Sequence, residues 1–306
     1  MIALADDAID QAAFQRDGFV VLQVLDPPEV AHYLAEAEKL IEPEAKPDKA
    51  AQGSSEQAFQ HLGDRLEDYG QEPKNYYFHL INHLPARPLH GAFHHPNILT
   101  TIEKLLGPEL VLNNGTMFAA EAGISYSLGW HRDVIQIPQD QIEDYLFSPK
   151  WFHNNVQVNM ALTEDRCLWI VPGSHRRPNT PEEDAAFAGS KHYAPLDAKM
   201  PGAMEVVLRP GQAAFYNNNI IHNGHCERLA NSRRTIHLGY HTNTRKPSWH
   251  FYLLDADKID EQFLNGVSPE LKEMMIRYRD CRQQYPRMED TWKRDWAWEG
   301  EGADRV

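Results

Sequence analysis

Two groups of metal-ligand residues, far apart in the chain, limit what this sequence can fold into: His131-Arg132-Asp133, and much later His222. Two imidazoles and one carboxylate are the donors of the facial triad that holds non-haem Fe(II) and leaves positions open for substrate and oxygen. One ion can use all three only if distant segments come face to face. In an extended strand, residues i and i+2 point to the same side, so His131 and Asp133 share a face while Arg132 points away. His222 then has to come from a strand lying opposite. Eleven residues beyond it begins the run Arg233-Arg234-Thr235-Ile236-His237. A guanidinium there offers a planar fork suited to a carboxylate. Together these residues imply an iron oxygenase whose co-substrate is a dicarboxylic acid.

The pattern along the chain divides into three zones. From about residue 9 to 106 it is mostly helical, with an amphipathic stretch from Pro28 through Val30, Leu34, Ala37, Leu40 and Ile41. The run from Glu42 to Asp48 breaks that helix, and residues 46–57 form a polar loop. From about 109 to 242, short β-rich runs alternate with Gly, Pro and Asn. Candidate strands are Val156–Leu162, Leu168–Val171, Met204–Leu208, Ala213–Tyr216 and Thr235–Tyr240. Many short strands separated by turns indicate a sandwich or barrel. The last zone, about 255–306, carries a helix from Pro269 to about Tyr285, with Leu271, Met274, Met275 and Tyr278 on one face. A tail with Trp292, Trp296 and Trp298 follows. No repeat or linker divides the chain, so residues 1–306 are expected to form one domain.

Four stretches carry a family resemblance: Phe14–Leu22, Trp130–Asp133, Cys167–His175, and Pro210–Ala213 through His222 to the strand Arg233–Tyr240. In this order they resemble the phytanoyl-CoA dioxygenase family of Fe(II)/2-oxoglutarate oxygenases. The resemblance implies a mainly β fold with flanking helices, the cupin-like double-stranded β-helix or jelly roll. It implies Fe(II), 2-oxoglutarate and O2 as cofactor and co-substrates. The expected reaction is oxidation, above all hydroxylation, of a small organic metabolite with release of succinate and CO2. His131, Asp133 and His222 are the expected metal ligands, and Arg233 the clamp on the far carboxylate of 2-oxoglutarate, with Arg234 as the competing choice. Asn159 and Gln157 share a strand face opposite the apolar Val156, Val158, Met160 and Leu162. They are expected toward the barrel interior and the co-substrate; for Asn159, an amide satisfied by its sheet neighbours is the other reading. His175 reads as a hairpin residue, and His237 faces inward by parity, for packing or hydrogen bonding. Two residues after the second histidine, many relatives have a serine; this chain has Gly224, so a hydroxyl from Thr235 or Tyr126, or water, has to replace it.

A halogenase needs a small residue where Asp133 stands, so Asp133 argues against it. A non-oxygenase cupin-like metal protein would not require Arg233. The net charge of −14 opposes binding to nucleic acid or to anionic membranes. No run of about 18 apolar residues suggests a membrane span. The acidic start lacks a secretory signal, and three cysteines without a close pair favour a reducing, cytoplasmic setting. The partner expected is a small molecule, met by the connections Val134–Asn155 and Arg176–Pro201 and by the aromatic run Asn75–Leu80. The sequence is silent on oligomeric state and on the substrate's identity.

Overall fold

Helix α1 (Gln11–Asp17) is short because both ends are specified. Asp10 accepts a hydrogen bond from the Ala13 N–H at its start, and Gly18 ends it with φ +85°. The chain continues directly into β1 (Phe19–Gln23). Helix α2 (Pro27–Ile41) opens on a reciprocal pair: the Glu29 N–H donates to Asp26, and the Asp26 N–H donates to Glu29. The computed structural model describes residues 4, 8–41, 75–81, 84–123, 125–133, 155–190, 193–242, 251, 254 and 256–287. Strand β2 (Asn75–His79), a 3-10 segment (Leu84–His94) and α3 (Pro96–Leu106) lead to the central region. The polar loop expected at 46–57, the connection 134–154 and the tryptophans of the tail lie outside the described residues.

Among the described residues eight strands follow: β3 (Leu110–Ala120), β4 (Tyr126–Ser127), β5 (Asn155–Ala161), β6 (Asp165–Ile170), β7 (Met204–Leu208), β8 (Gln212–Asn217), β9 (His222–Cys226) and β10 (Arg233–Thr242). Helix α4 (Pro181–Phe187) lies between β6 and β7, and α5 (Glu261–Asn265) and α6 (Pro269–Gln284) follow β10. Pairing is antiparallel in two sheets, ordered β1-β8-β5-β10-β3-β2 and β4-β9-β6-β7. From β3 to β6, and again from β7 to β10, the chain passes between the sheets so that each strand's sequence neighbour is mostly in the other one. That is the jelly-roll form expected from the resemblance.

The expected strands are all present, with Met204–Leu208 matching residue for residue. Two strands stand within the segment expected to be mostly helical: β1, where the resemblance at Phe14–Leu22 implies a helix leading into a strand, and β2. Both extend the large sheet, β1 on β8 and β2 on β3. Helix α6 matches its expected face, burying Leu271, Met274, Met275 and Tyr278.

The two faces of the large sheet differ in chemistry. Val156, Val158 and Met160 of β5 and Ile236, Leu238 and Tyr240 of β10 point outward into the main core and are fully buried. At roughly 1.5–3 kcal/mol each, these six side chains penalise a one-residue slip by on the order of 10 kcal/mol, since a slip exchanges the faces. Their partners in alternation, Gln157 and Asn159 with Arg233, Thr235 and His237, are thereby held on the inner face.

Two of the sequence motifs meet at Gly18. Its N–H donates to the Phe14 carbonyl, and the Gly173 N–H donates to the Asp17 carbonyl at 2.8 Å. A Cβ at Gly18 would lie 2.5 Å from His175 Nδ1. His175 is thus a packing residue of the hairpin, seated on the end of α1. Gly18→Ala combines a left-handed backbone with that clash. A loss of about 1–3 kcal/mol is expected, measured by urea denaturation, while unchanged stability would show that the hairpin moves freely.

Candidate metal centre

His131 and His222 meet through their backbones. The His131 N–H donates to the His222 carbonyl at 3.0 Å, and the His222 N–H donates to the His131 carbonyl at 2.9 Å. Residues in such a reciprocal pair point to the same side; their ring centroids are 4.2 Å apart. His131 stands in isolated bridges rather than in the extended strand anticipated, bonded on one side to His222 and paired on the other with Tyr193, where the Ala194 N–H donates to the Trp130 carbonyl. Gly129, at φ +77°, turns the chain out of β4 just before it. The Asp133 N–H then donates to the Asn218 carbonyl, which fixes the carboxylate's position.

Three ligand atoms converge. His131 Nε2 is 3.7 Å from Asp133 Oδ1, His222 Nε2 is 3.8 Å from Asp133 Oδ2, and the set lies within 4.8 Å. The imidazoles are oriented from behind: His131 Nδ1 bonds the Gly129 carbonyl at 2.8 Å and His222 Nδ1 bonds the Ile220 carbonyl at 3.0 Å. A carbonyl only accepts, so Nδ1 carries the proton and Nε2 presents its lone pair to the centre. Burial pushes both histidines down, His222 to about 4, and pushes the Asp133 carboxyl up to about 8 against the lowering effect of Gln157. Two neutral imidazoles and a desolvated carboxyl form a donor set that a divalent cation suits. Among the described residues this is the one group of its kind.

Arg132 points away from that centre, as strand parity implies, but it is not idle. Its guanidinium, buried with the residue 4% exposed, donates to the carbonyls of Ser174 (2.7 Å) and Asn219 (2.5 Å), to the Arg177 carbonyl and to the Asn179 side chain. It ties the segment after β6 to the turn that delivers His222. Ser174 adds a second tie, its hydroxyl accepting from the Ile221 N–H.

On the inner face of β10, Arg233 donates through Nε to Asp165 Oδ2 at 2.9 Å, and its guanidinium carbon lies 4.9 Å from the centre of the Phe118 ring. Arg234 points to the opposite face, where it pairs with Glu38 and Glu121. Thr235 donates its hydroxyl to Asp165 as well, so the group expected to stand in for the missing serine is engaged there. The Tyr126 side chain lies outside the described residues. Asp165 is buried, and the desolvation that raises its carboxyl is outweighed by Arg233, Thr235 and the Cys167 N–H, which hold it below the usual range. Gln157 donates to Asp133 Oδ2 at 2.6 Å, and Asn159 Oδ1 lies 2.7 Å from His237 Nδ1. The sequence offered no sign of Asp165's role, because a carboxylate at a strand's start is ordinary. Nor did it mark Tyr193, whose ring packs 4.8 Å from that of His131.

A jelly roll that brings two histidines and one carboxylate together, all three buried, has the site of a non-haem iron oxygenase of the 2-oxoglutarate class. The chain belongs to the phytanoyl-CoA dioxygenase family, whose model matches residues 14–235. It is an enzyme of that Fe(II)- and 2-oxoglutarate-dependent class, with O2 as oxidant. Solved structures share the fold. The epimerase SnoN, crystallised with Fe3+, α-ketoglutarate and nogalamycin RO, is 21% identical over 82% of this chain and 89% of its own, with a TM-score of 0.53. The non-heme monooxygenase ThoJ is 22% identical, covering 90% and 100%, at 0.51. EctD from S. alaskensis, crystallised with 2-oxoglutarate and 5-hydroxyectoine, is 19% identical, covering 79% and 78%, at 0.53. No curated protein matches the sequence.

Arg132→Ala would strand several buried acceptors at once. A loss of more than about 3 kcal/mol is expected in urea denaturation, and Arg132→Lys should recover little because an ammonium cannot span the same fork. A near-neutral alanine variant would mean that water meets these carbonyls instead.

Proposed function

We propose that this chain hydroxylates a small organic metabolite within a single oxygenase domain, using His131, Asp133 and His222 as the iron ligands and Arg233 as the co-substrate clamp. The observation that carries this reading is the convergence of two backbone-oriented Nε2 atoms and one carboxylate, with Arg233 on the inner face of the adjoining large sheet. With iron, 2-oxoglutarate and O2 bound, the centre supplies oxidation of a substrate C–H bond coupled to release of succinate and CO2. The protein's part is to hold and orient. Gln157 keeps the Asp133 carboxylate turned by its hydrogen bond, and the Gly129 and Ile220 carbonyls keep both imidazoles in one tautomer. Asn159 and His237 form a buried pair on the same face, placed to border the co-substrate. The Phe118 ring and Asp165 fix the plane of the Arg233 guanidinium, so that little freedom remains to be lost when it meets a carboxylate.

No helix among the described residues is long and apolar enough to cross a membrane. A cytoplasmic setting is part of this proposal and rests on the sequence, whose three cysteines form no close pair.

Anaerobic addition of Fe(II) and 2-oxoglutarate should produce metal-to-ligand charge-transfer absorption. His131→Ala, Asp133→Ala and His222→Ala should each abolish turnover with the far-UV spectrum retained; succinate formation surviving in all three would refute the ligand assignment.

Arg233→Ala removes the partner of a partly desolvated carboxylate, a loss of roughly 2–5 kcal/mol in co-substrate binding. That corresponds to about thirty- to several-thousand-fold in affinity, read by the same absorption under nitrogen. Arg234→Ala, acting on the outer face, should stay near wild type. The reverse result would move the clamp to Arg234.

A further inference from the structure

Among the described residues, three adjacent buried polar atoms have no hydrogen-bond partner: Asn113 Oδ1, Asn114 Oδ1 and Asn114 Nδ2. Asn113 is 0% and Asn114 1% exposed. Their placement follows from a β-bulge. Gly239 of β10 pairs with Asn114 of β3, but Tyr240 pairs with Leu112, which leaves Asn113 as the extra residue. Gly115 on one side faces outward, since a Cβ there would touch Phe93 and Ile81 of the core. Asn114 therefore faces inward, in line with Thr116, the cross-strand partner of His237. A Cβ on Gly239 would lie 2.2 Å from Asn113 Oδ1 and 3.0 Å from Asn114 Cβ, so both asparagines crowd over this glycine on the inner face.

The bulge stands in register with the metal centre. Gln157, which holds Asp133, pairs with Gly239, which pairs with Asn114. Strands lie about 4.8 Å apart, so Gln157 and Asn114 are roughly 10 Å from each other in one row. Arg233 lies at the other end of β10, about 20 Å along the strand from Gly239, with His237 between them. A co-substrate reaching from the centre toward Arg233 leads away from the bulge. Gln157 in this row is neutral, and so are Thr116 on one side of it and His241 on the other, whose Nδ1 meets Asn113 Nδ2 at 3.2 Å and whose burial pushes its pKa down to about 3.

We propose that the Asn113–Asn114 bulge is a substrate subsite for a neutral group bearing both an N–H donor and a carbonyl acceptor, such as a lactam, carboxamide, imide or urea. Two acceptors and one donor, buried without partners, match that chemistry and leave a charged group uncompensated. The assignment to the primary substrate rests on the function proposed above.

The test uses the full-length protein, with and without Mn(II) and 2-oxoglutarate, and two probes, 2-pyrrolidone and cyclopentanone, followed by ligand-observed NMR. The lactam should bind at least about tenfold more tightly than the ketone, and Asn114→Leu and Asn114→Ala should each erase that preference. Asn114→Leu removes unpartnered amide atoms from a buried site, so its Tm should stay level or rise by about 2 °C. No lactam preference in wild type, a preference surviving both variants, or a Tm drop beyond about 4 °C for Asn114→Leu would overturn the proposal. The last would show that the amide is satisfied within the fold. A parallel Fe(II)/2-oxoglutarate titration separates the two ideas: lactam binding that depends on Asn114 without charge-transfer absorption upholds the subsite and removes the ligand and clamp assignment.

Discussion

The reciprocal backbone pair between His131 and His222 is the contact on which the rest depends. Its two hydrogen bonds, 3.0 and 2.9 Å, join the short strand β4's continuation to the start of β9, segments that the sequence separates widely. Because such a pair sends both side chains to one face, a single piece of main-chain geometry places two of the three metal donors. The third follows from chain continuity, with the Asp133 N–H held by the Asn218 carbonyl. Everything that stabilises this seam also sets the metal geometry. Arg132 and Ser174 brace it from behind, and the hairpin carrying Ser174 rests in turn on Gly18 at the end of α1. The sequence motifs therefore form a mechanical chain, from the first helix through the hairpin to the metal centre.

The large sheet separates two tasks by strand alternation. Its outer face is apolar and contributes most of the favourable burial; its inner face carries the amides, the imidazole and the guanidinium. Arg233 and Arg234 show how sharp that division is. They are neighbours in sequence, yet one meets Asp165 within the barrel and the other reaches Glu38 and Glu121 outside it. A preference between them could be argued from strand parity alone, once the strand and its register were known.

The parts legible in the sequence were those whose residue types have few alternatives. His131, Asp133 and His222 stand out because three metal donors of this kind in family order leave little choice. Met204–Leu208 reads cleanly as a strand because β-branched and apolar residues lie between turn residues. Strand β2 was hidden, since Tyr76, Tyr77, Phe78 and His79 are four rings in succession and lack the alternation that distinguishes a strand. Asp165 was hidden for another reason: its role depends on Arg233, a residue of a different strand, and no local pattern encodes that meeting. The bulge left one faint mark, two successive polar residues, Asn113 and Asn114, inside a strand that is apolar elsewhere except at Thr116. Strict alternation would have put one of them into the core, which is costly for an amide.

The barrel interior also sorts its ionisable groups. Asp165 is compensated by Arg233 and Thr235 and stays charged, which suits a fixed support. Asp133 accepts from the Gln157 amide and is pushed toward neutrality by burial, which suits a ligand whose charge is to be matched by a cation. Two buried aspartates thus differ in role because one has a guanidinium beside it and the other has two imidazoles held neutral. The same logic extends along the row from Gln157 to Asn114, where the described side chains carry no net charge. Moving along β10, the inner face passes from a charged clamp at Arg233, past His237, to the row in which Gln157 holds Asp133 and Asn114 carries the neutral amide of the bulge. A dianionic co-substrate and a neutral, hydrogen-bonding partner would each find one end complementary and the other end costly. The polarity of the sheet, set by side chains that the outer core fixes in register, would thereby decide which molecule lies toward Arg233 and which toward the bulge.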